Sequence, residues 1–253
     1  MSLLSITALV AAGIGAGLLS TIAGLASLVS YPALLAFGLP PVTANVTNTA
    51  GLTASALGSL ASTRPELRGT WRRLWPRIAV FAVFGSVGGW LLLASPPGSF
   101  ERIVPWLIGG ASLLLLFRDE IQRYAATKGR SIPHSGPVFF VVLALVATYG
   151  GYFGAAAGVI LLAWLMLSST DSLAYNNAEK NMMLGASNLS ATLFFLAFGQ
   201  PHWGAALCIA VGGIIGSFIG PKLLRRMPER PVRILIAIAG LGLAIKLFID
   251  TLG

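Results

Sequence analysis

The sequence predicts an all-α polytopic membrane protein built from two inverted-topology repeats, and three observations carry that prediction. The first is composition. Of 253 residues, 56% are hydrophobic and only 10% charged, with a mean hydropathy of +0.83, whereas soluble domains average about 25% charged residues. The second is a set of apolar runs at 3–29, 78–94, 103–117, 137–167, 203–221 and 232–249, several of them near the roughly 20 residues that cross a bilayer as a helix. Outer-membrane barrels show segments of about ten residues with alternating polarity instead, and none occur here. The third is a weak likeness between the two halves, whose charged flanks alternate in opposite order.

The first element, 3–38, is too long for one span and is interrupted at Gly24 and Pro32. Glycine frees the backbone and proline removes a donor, so both belong where a helix breaks. Backbone broken at membrane depth is tolerated only where protein or a water-filled cavity covers it. The next segment carries "ANVTNTAG" at 44–51 in apolar surroundings. At 100° per residue Asn45 and Thr49 share a helix face; Thr53 lies about 40° beyond Thr49, and Asn48 about 60° to the other side. Amides and hydroxyls facing lipid are costly, so these faces point into the bundle. Segment 64–77 then has five Arg against one Glu, a net of 5 − 1 = +4.

Run 78–94 leads to "SPPGSF" at 95–100, which has no Lys or Arg, and run 103–117 leads to 118–136. There Arg118, Arg123, Lys128 and Arg130 oppose Asp119 and Glu120, a net of 4 − 2 = +2. The second half opens with 137–167, again too long for one span and interrupted by "GGYFGAAAG" at 150–158, which ends on Gly158. The intrusion "NNAEKN" at 176–181 follows, with Asn177, Asn181 and Asn188 within about 40° of one another on a helix. After it come the uncharged "GQPHW" at 199–203, run 203–221, and segment 222–233 with Lys222, Arg225, Arg226, Arg230 and Arg233 against Glu229, a net of 5 − 1 = +4. Run 232–249 closes the chain.

The positive-inside rule places 64–77, 118–136 and 222–233 in the cytoplasm and the uncharged segments outside. The first half thus reads inside, outside, inside, and the second outside, inside, outside. A shift of 134 superposes Gly17 on Gly151, Gly24 on Gly158, Leu39 on Leu173, Ala44 on Ala178 and Gly51 on Gly185. A shift of 128 places "ERIV" at 101–104 on "ERPV" at 229–232. Like halves of opposite sidedness are a plan of several secondary transporters. The expected organisation is one integral-membrane domain with repeats at 1–130 and 131–253 and about 8–10 membrane segments. Parity requires an even number of crossings between 118–136 and 222–233, so 137–167 must be two elements, a re-entrant hairpin or two short spans.

The two polar intrusions, each beside a break, are expected to line one site: Asn45, Thr47, Asn48, Asn177, Lys180, Asn181 and Asn188, with exposed backbone at Gly24, Pro32 and Gly158. Each residue taken singly has the plainer reading of a hydrogen bond between packed helices. Lys180 and Glu179 are the sharpest charges; ionisable residues within a span are costly and functional by default, although at a boundary Lys180 could snorkel to water. A site rich in donors and poor in carboxylates suits a small anion, and half-helix N-termini at the breaks add positive potential.

Other features read as structure. Gly85, Gly89, Gly212, Gly216 and Gly220 recur every four residues and let helices approach. Trp71, Trp75, Trp106 and Trp203 fit an interfacial belt, and His134 and His202 fall in loops. Cys208 is the one cysteine, so no intrachain disulfide forms. The N-terminus lacks a basic n-region and cleavage site and reads as the first membrane element. The net charge of +9 would suggest nucleic acid in a soluble chain, but the cations cluster between membrane runs.

At 38–69, "GLPPVTANVTNTAGLTASALGSLASTRPELRG", the chain resembles the TauE/SafE-type sulfite exporters, also called the toluene sulfonate uptake permease family. The likeness runs through the glycine-rich stretch Gly13 to Gly24, Pro32, Gly38 to Pro41 and Thr47-Asn48. "NAEKNMMLGASNL" at 177–189 is similar to the second-repeat motif of an actinobacterial-looking branch. The resemblance covers nearly the whole chain and implies that Asn48, Lys180, Asn181 and Asn188 are motif positions. Two positions depart: many members have Lys where Thr49 stands, and Glu179 is often apolar. Members are linked to sulfite, thiosulfate, sulfonates, sulfoacetate and other carboxylates.

The function expected is a secondary transporter of small anions, sulfur-containing oxyanions or organosulfonates, working by alternating access in the plasma membrane with both termini outside. An anion channel, or a carrier of a small carboxylate such as formate, is the alternative. A nucleotide-driven pump lacks its P-loop here. An enzyme would need an activated nucleophile, metal cluster or carboxylate pair that the chain is ill equipped to build. No catalytic residue, metal or cofactor is expected. The partners expected are a small anionic substrate and the lipid bilayer, without nucleic acid; a homodimer is left open.

Overall fold

A computed structural model describes residues 1–23, 25–96, 98–127, 136–224 and 229–252; within these, side chains are described except at 21–23, 57–65, 220–224, 229–230, 232–233 and 251–252. Gly24, Lys128, Arg130, His134, Arg225 and Arg226 lie outside the described residues, as do the surroundings of Gly220 and the side chains of Lys222, Arg230 and Arg233.

All regular structure among the described residues is helical: α1 (Leu3–Ala23), α2 (Ser27–Ala36), α3 (Pro41–Thr63), a 3-10 turn (Arg64–Leu67), α4 (Trp71–Ala94), α5 (Ser99–Leu116), α6 (Arg118–Thr127), α7 (Pro137–Tyr152), α8 (Ala157–Ser168), α9 (Leu173–Phe198), α10 (Trp203–Leu224) and α11 (Glu229–Leu252). Four of them, α1, α4, α5 and α9, are long and apolar enough to cross a membrane. Apolar side chains such as Val141, Leu145, Leu193, Leu207 and Phe218 stay exposed, which suits surfaces meeting hydrocarbon.

Both long first elements are divided, 3–38 into α1 and α2 and 137–167 into α7 and α8. The first interruption lies between Ala23 and Ser27. Pro32, expected at the break, sits inside α2; a proline there forgoes one backbone bond while the helix stays continuous. Gly158 is in the first turn of α8, just past the second interruption. That interruption is made by Gly154 at φ +74° and Ala156 at φ +58°. Ala156 is held in the left-handed region, which carries a strain cost for a residue with a Cβ, and it is completely buried.

The halves interlock. α1 packs along α10 and α7 along α4; α3 packs on α10 and α9 on α4; α3 meets α9, and α5 meets α11. The α1–α10 and α4–α7 seams are backbone to backbone. A Cβ at Gly17 would lie 2.7 Å from the Ser217 nitrogen, and one at Gly151 would lie 2.7 Å from the Gly85 carbonyl carbon. Gly85, Gly212 and Gly216 of the four-residue series lie in these seams, whereas Gly89 faces the Phe195 ring.

Segment 64–77 is not the loop expected from its charge. Arg72, Arg73 and Arg77 are in the first two turns of α4, and Arg77 is 3% exposed. Glu179 supplies its counter-charge, and its guanidinium lies 4.7 Å from the centre of the Phe139 ring. Segment 118–136 likewise contains α6 and is not wholly irregular.

Candidate functional site

The two interruptions and two long helices enclose a cavity of about 50 Å³. Ser20 of α1 and Ala26 and Ser27 at the start of α2 line one side; Gly150, Phe153, Gly154 and Ala157 around the α7–α8 break line the other. Between them α3 contributes Thr49, Leu52 and Ala56, and α9 contributes Asn181, Leu184, Gly185 and Asn188. One water needs about 10–15 Å³ by this measure, so about 50 Å³ holds a few water-sized groups.

Its walls are held by the polar groups that the breaks require. Breaking α7 frees backbone carbonyls, and buried carbonyls need partners. The Asn45 amide donates to the Tyr152 carbonyl at 2.7 Å, and the Tyr149 hydroxyl donates to the Ala155 carbonyl at 2.6 Å. In the first half Asn48 performs the related task on α2. Its amide donates to Ser27 Oγ at 3.1 Å, and its Oδ1 accepts from Ser30 Oγ at 2.5 Å. Tyr31 of α2 packs edge-on against Phe153 of the other break, with centroids 5.2 Å apart.

Of the residues singled out from sequence, Asn181 and Asn188 line the cavity. They are seven positions apart, two turns or about 10 Å along one face of α9. Asn45 and Asn48 are buried one layer behind it, engaged as described. Thr47 Oγ1 accepts from the His202 backbone N–H at 2.9 Å, which ties α3 to the segment before α10. Asn177 accepts from the Lys180 ammonium at 2.7 Å; Lys180 is completely buried, and neither residue lines the cavity. Glu179, equally buried, is paired with Arg77 of α4.

The polar lining residues not singled out from sequence are Ser20 and Ser27; Thr49 lies on the inward face expected with Asn45, and Gly150 and Gly154 lie within the second break, none of the three being named as a site residue. A hydroxyl within a few residues of each predicted break was the signal that would have found Ser20 and Ser27. Among the described residues the lining contains no charged side chain. Hydroxyls and amides converge there with the starts of two short helices, at Ser27 and Ala157. Such an arrangement offers neutral hydrogen-bond donors and the positive ends of two helix dipoles.

The described charges next to α9 gather at one end of the bundle. Arg73 and Asp171 form an ion pair at 2.5 Å, and Arg77 and Glu179 pair one turn deeper. Arg118 of α6 is buried nearby and acts electrostatically on Lys180.

The family described as sulfite exporter TauE/SafE matches residues 9–247. Among similar proteins, a probable membrane transporter protein of Haemophilus influenzae is 27% identical over 243 residues, covering 94% of this chain and 92% of that one. The probable membrane transporter protein ORF9 of a Sinorhizobium species is 27% identical, covering 93% and 89%. The probable membrane transporter protein YfcA of Escherichia coli K12 is 27% identical, covering 94% and 87%. With apolar helices long enough to span a bilayer and a family match over nearly its whole length, this chain belongs to the sulfite exporter TauE/SafE family of membrane transporters.

Proposed function

We propose that the chain is a secondary carrier of a small anion, a sulfur-containing oxyanion or small organosulfonate, which binds in the cavity between the two breaks. Asn181 and Asn188 donate amide hydrogens to the anion's oxygens, Ser27 adds a hydroxyl, and the starts of α2 and α8 supply positive potential; the Thr49 hydroxyl donates to the Asn45 carbonyl and shapes the wall. Asn45, Asn48 and Thr47 hold the walls in register. The observation that carries this reading is the lining: convergent neutral donors, two helix starts and, among the described residues, no carboxylate to repel an anion. The volume of about 50 Å³ favours an anion of a few heavy atoms, so formate is the carboxylate to weigh against the sulfur oxyanions.

The site lies where α3 and α9 meet, so alternate opening to the two faces would follow from movement of the interlocked halves around it. Its setting is the plasma membrane, with the Arg-rich end of the bundle in the cytoplasm.

A thermal-shift screen of the purified protein against sulfite, thiosulfate, sulfoacetate, taurine and formate identifies the ligand, because a ligand stabilises the state it binds. In proteoliposomes loaded with that anion, Asn181→Ala and Asn188→Ala each lower counterflow by about tenfold or more, the effect of losing one hydrogen bond to a charged group. Wild-type counterflow in both variants, with folded protein confirmed, rejects the site. Single-channel currents in place of saturable counterflow reject the carrier.

A further inference from the structure

We propose that Lys180 is the proton-carrying group of the transport cycle, so that the anion moves together with a proton; this rests on the anion-carrier reading above and adds its coupling ion. Lys180 has no exposed surface. Its ammonium donates to the Asn177 side-chain oxygen at 2.7 Å, and none of the ion pairs among the described residues includes it. The neighbouring carboxylate, Glu179, is engaged by Arg77.

The charges around it do not balance it. From α4 come Arg73 and Arg77, the first paired with Asp171 and the second with Glu179. α6 contributes Arg118, a second cation that has interactions of its own, with Asp119 half-buried and Glu120 exposed beside it, and the 3-10 turn packed on α9 contributes the exposed Glu66. The sequences of α3 and α8 contain no charged residue, and α7 contributes only the tyrosines Tyr149 and Tyr152. A buried cation kept for structure is normally paired, and an unpaired one is among the most costly groups a protein can bury. The ammonium bonds Asn177, which shares a face of α9 with the cavity-lining Asn181. The negative charge placed to compensate the ammonium is therefore an anion held in that cavity.

The step balances simply. As the anion enters, the Lys180 amine takes one proton from water on that side, forming an N–H bond. After the anion leaves on the other side, the ammonium returns that proton to water there. Lysine suits this because its amine exists in both forms, whereas arginine stays protonated.

The test uses full-length protein in proteoliposomes with thiosulfate, or sulfoacetate where thiosulfate is not exchanged. Both are fully ionised near neutral pH, so any proton that moves is carried by the protein. With the membrane potential clamped at zero and the interior one pH unit more alkaline, one proton per anion gives about tenfold accumulation, and an internal pH dye reports matching acidification. Lys180→Gln and Lys180→Arg are expected to keep a slower anion exchange while accumulation falls to the external level. Arginine's failure to restore accumulation separates proton carriage from simple charge balance. Three results overturn the proposal: wild-type exchange without proton movement, accumulation that persists in Lys180→Gln, or accumulation restored by Lys180→Arg. Absence of exchange of both anions by the wild type rejects the sulfur-anion reading of the site first, and the coupling with it.

Discussion

Arg77 and Glu179 show how the bundle interior keeps charges: they are buried together, and an aromatic ring covers the guanidinium. Removing one partner leaves the other unpaired, which costs about 3–5 kcal/mol, whereas replacing both with apolar groups of similar volume is often close to neutral. Arg77→Ala is accordingly expected to lower the melting temperature of the detergent-solubilised protein sharply, with Arg77→Met/Glu179→Leu recovering most of the loss. Equal melting of the single and double variants would show that the pair contributes nothing as a pair. At this scale the sequence was partly legible. The seven-residue spacing of Asn181 and Asn188 was enough to place both on one inward face, because helical geometry alone decides that. It could not separate them from Asn45 and Asn48, since the partners of those two, Tyr152 and the serines of α2, are 107 and about 20 positions away in the chain. Arg77 was misread for a related reason. Its charge resembled that of the neighbouring arginines of 64–73, and its buried partner is 102 residues away.

Among the elements, the division of the two long first segments was the most predictable feature, because length, and parity for 137–167, forced two elements where hydropathy drew one run. What periodicity could not supply was the partner of each helix. The glycines of α4 and α10 read as a generic close-packing face, and only the fold shows that each face receives a first helix: α7 on α4, and α1 on α10. A methyl at Gly151 would be forced against the Gly85 backbone, while one at Gly110 of α5 would meet nothing within 4 Å. Overpacking costs typically about 1–3 kcal/mol, and an open helical position gains up to about 1 kcal/mol from alanine. Gly151→Ala should therefore lower thermal stability and Gly110→Ala hold or raise it. Equal shifts for the two would mean that the α4–α7 seam is looser than its geometry.

For the whole molecule, sidedness is the property that ties sequence to fold. Met1 packs against Gly204 at the start of α10, and Phe248 near the end of α11 packs on Trp106 in the first half of α5. Arg77 pairs with Glu179 while Gly89 meets Phe195, so α4 and α9 run parallel and the segments after them share one end. Both termini therefore sit at that end, opposite the ion pairs of Arg73 and Arg77. We propose that this end faces outward and that α1–α5 and α7–α11 are duplicated halves. Their supporting feature is the exchange of partners along the main seams: α1 on α10 is answered by α7 on α4, and α3 on α10 by α9 on α4. The proposed boundary near residue 130 falls between α6 and α7. Reporters fused to the N- and C-termini should both respond as external; a cytoplasmic C-terminal reporter would refute the inverted arrangement. The interlocking also governs how the chain is made. α1 leaves the ribosome first, yet the helix that covers its glycine seam begins 203 − 23 = 180 residues after α1 ends. Until α10 has been made, that seam lies bare to lipid or to an insertion chaperone. Assembly is thus a late event, and a truncated nascent chain offers quality-control proteases an unfilled groove.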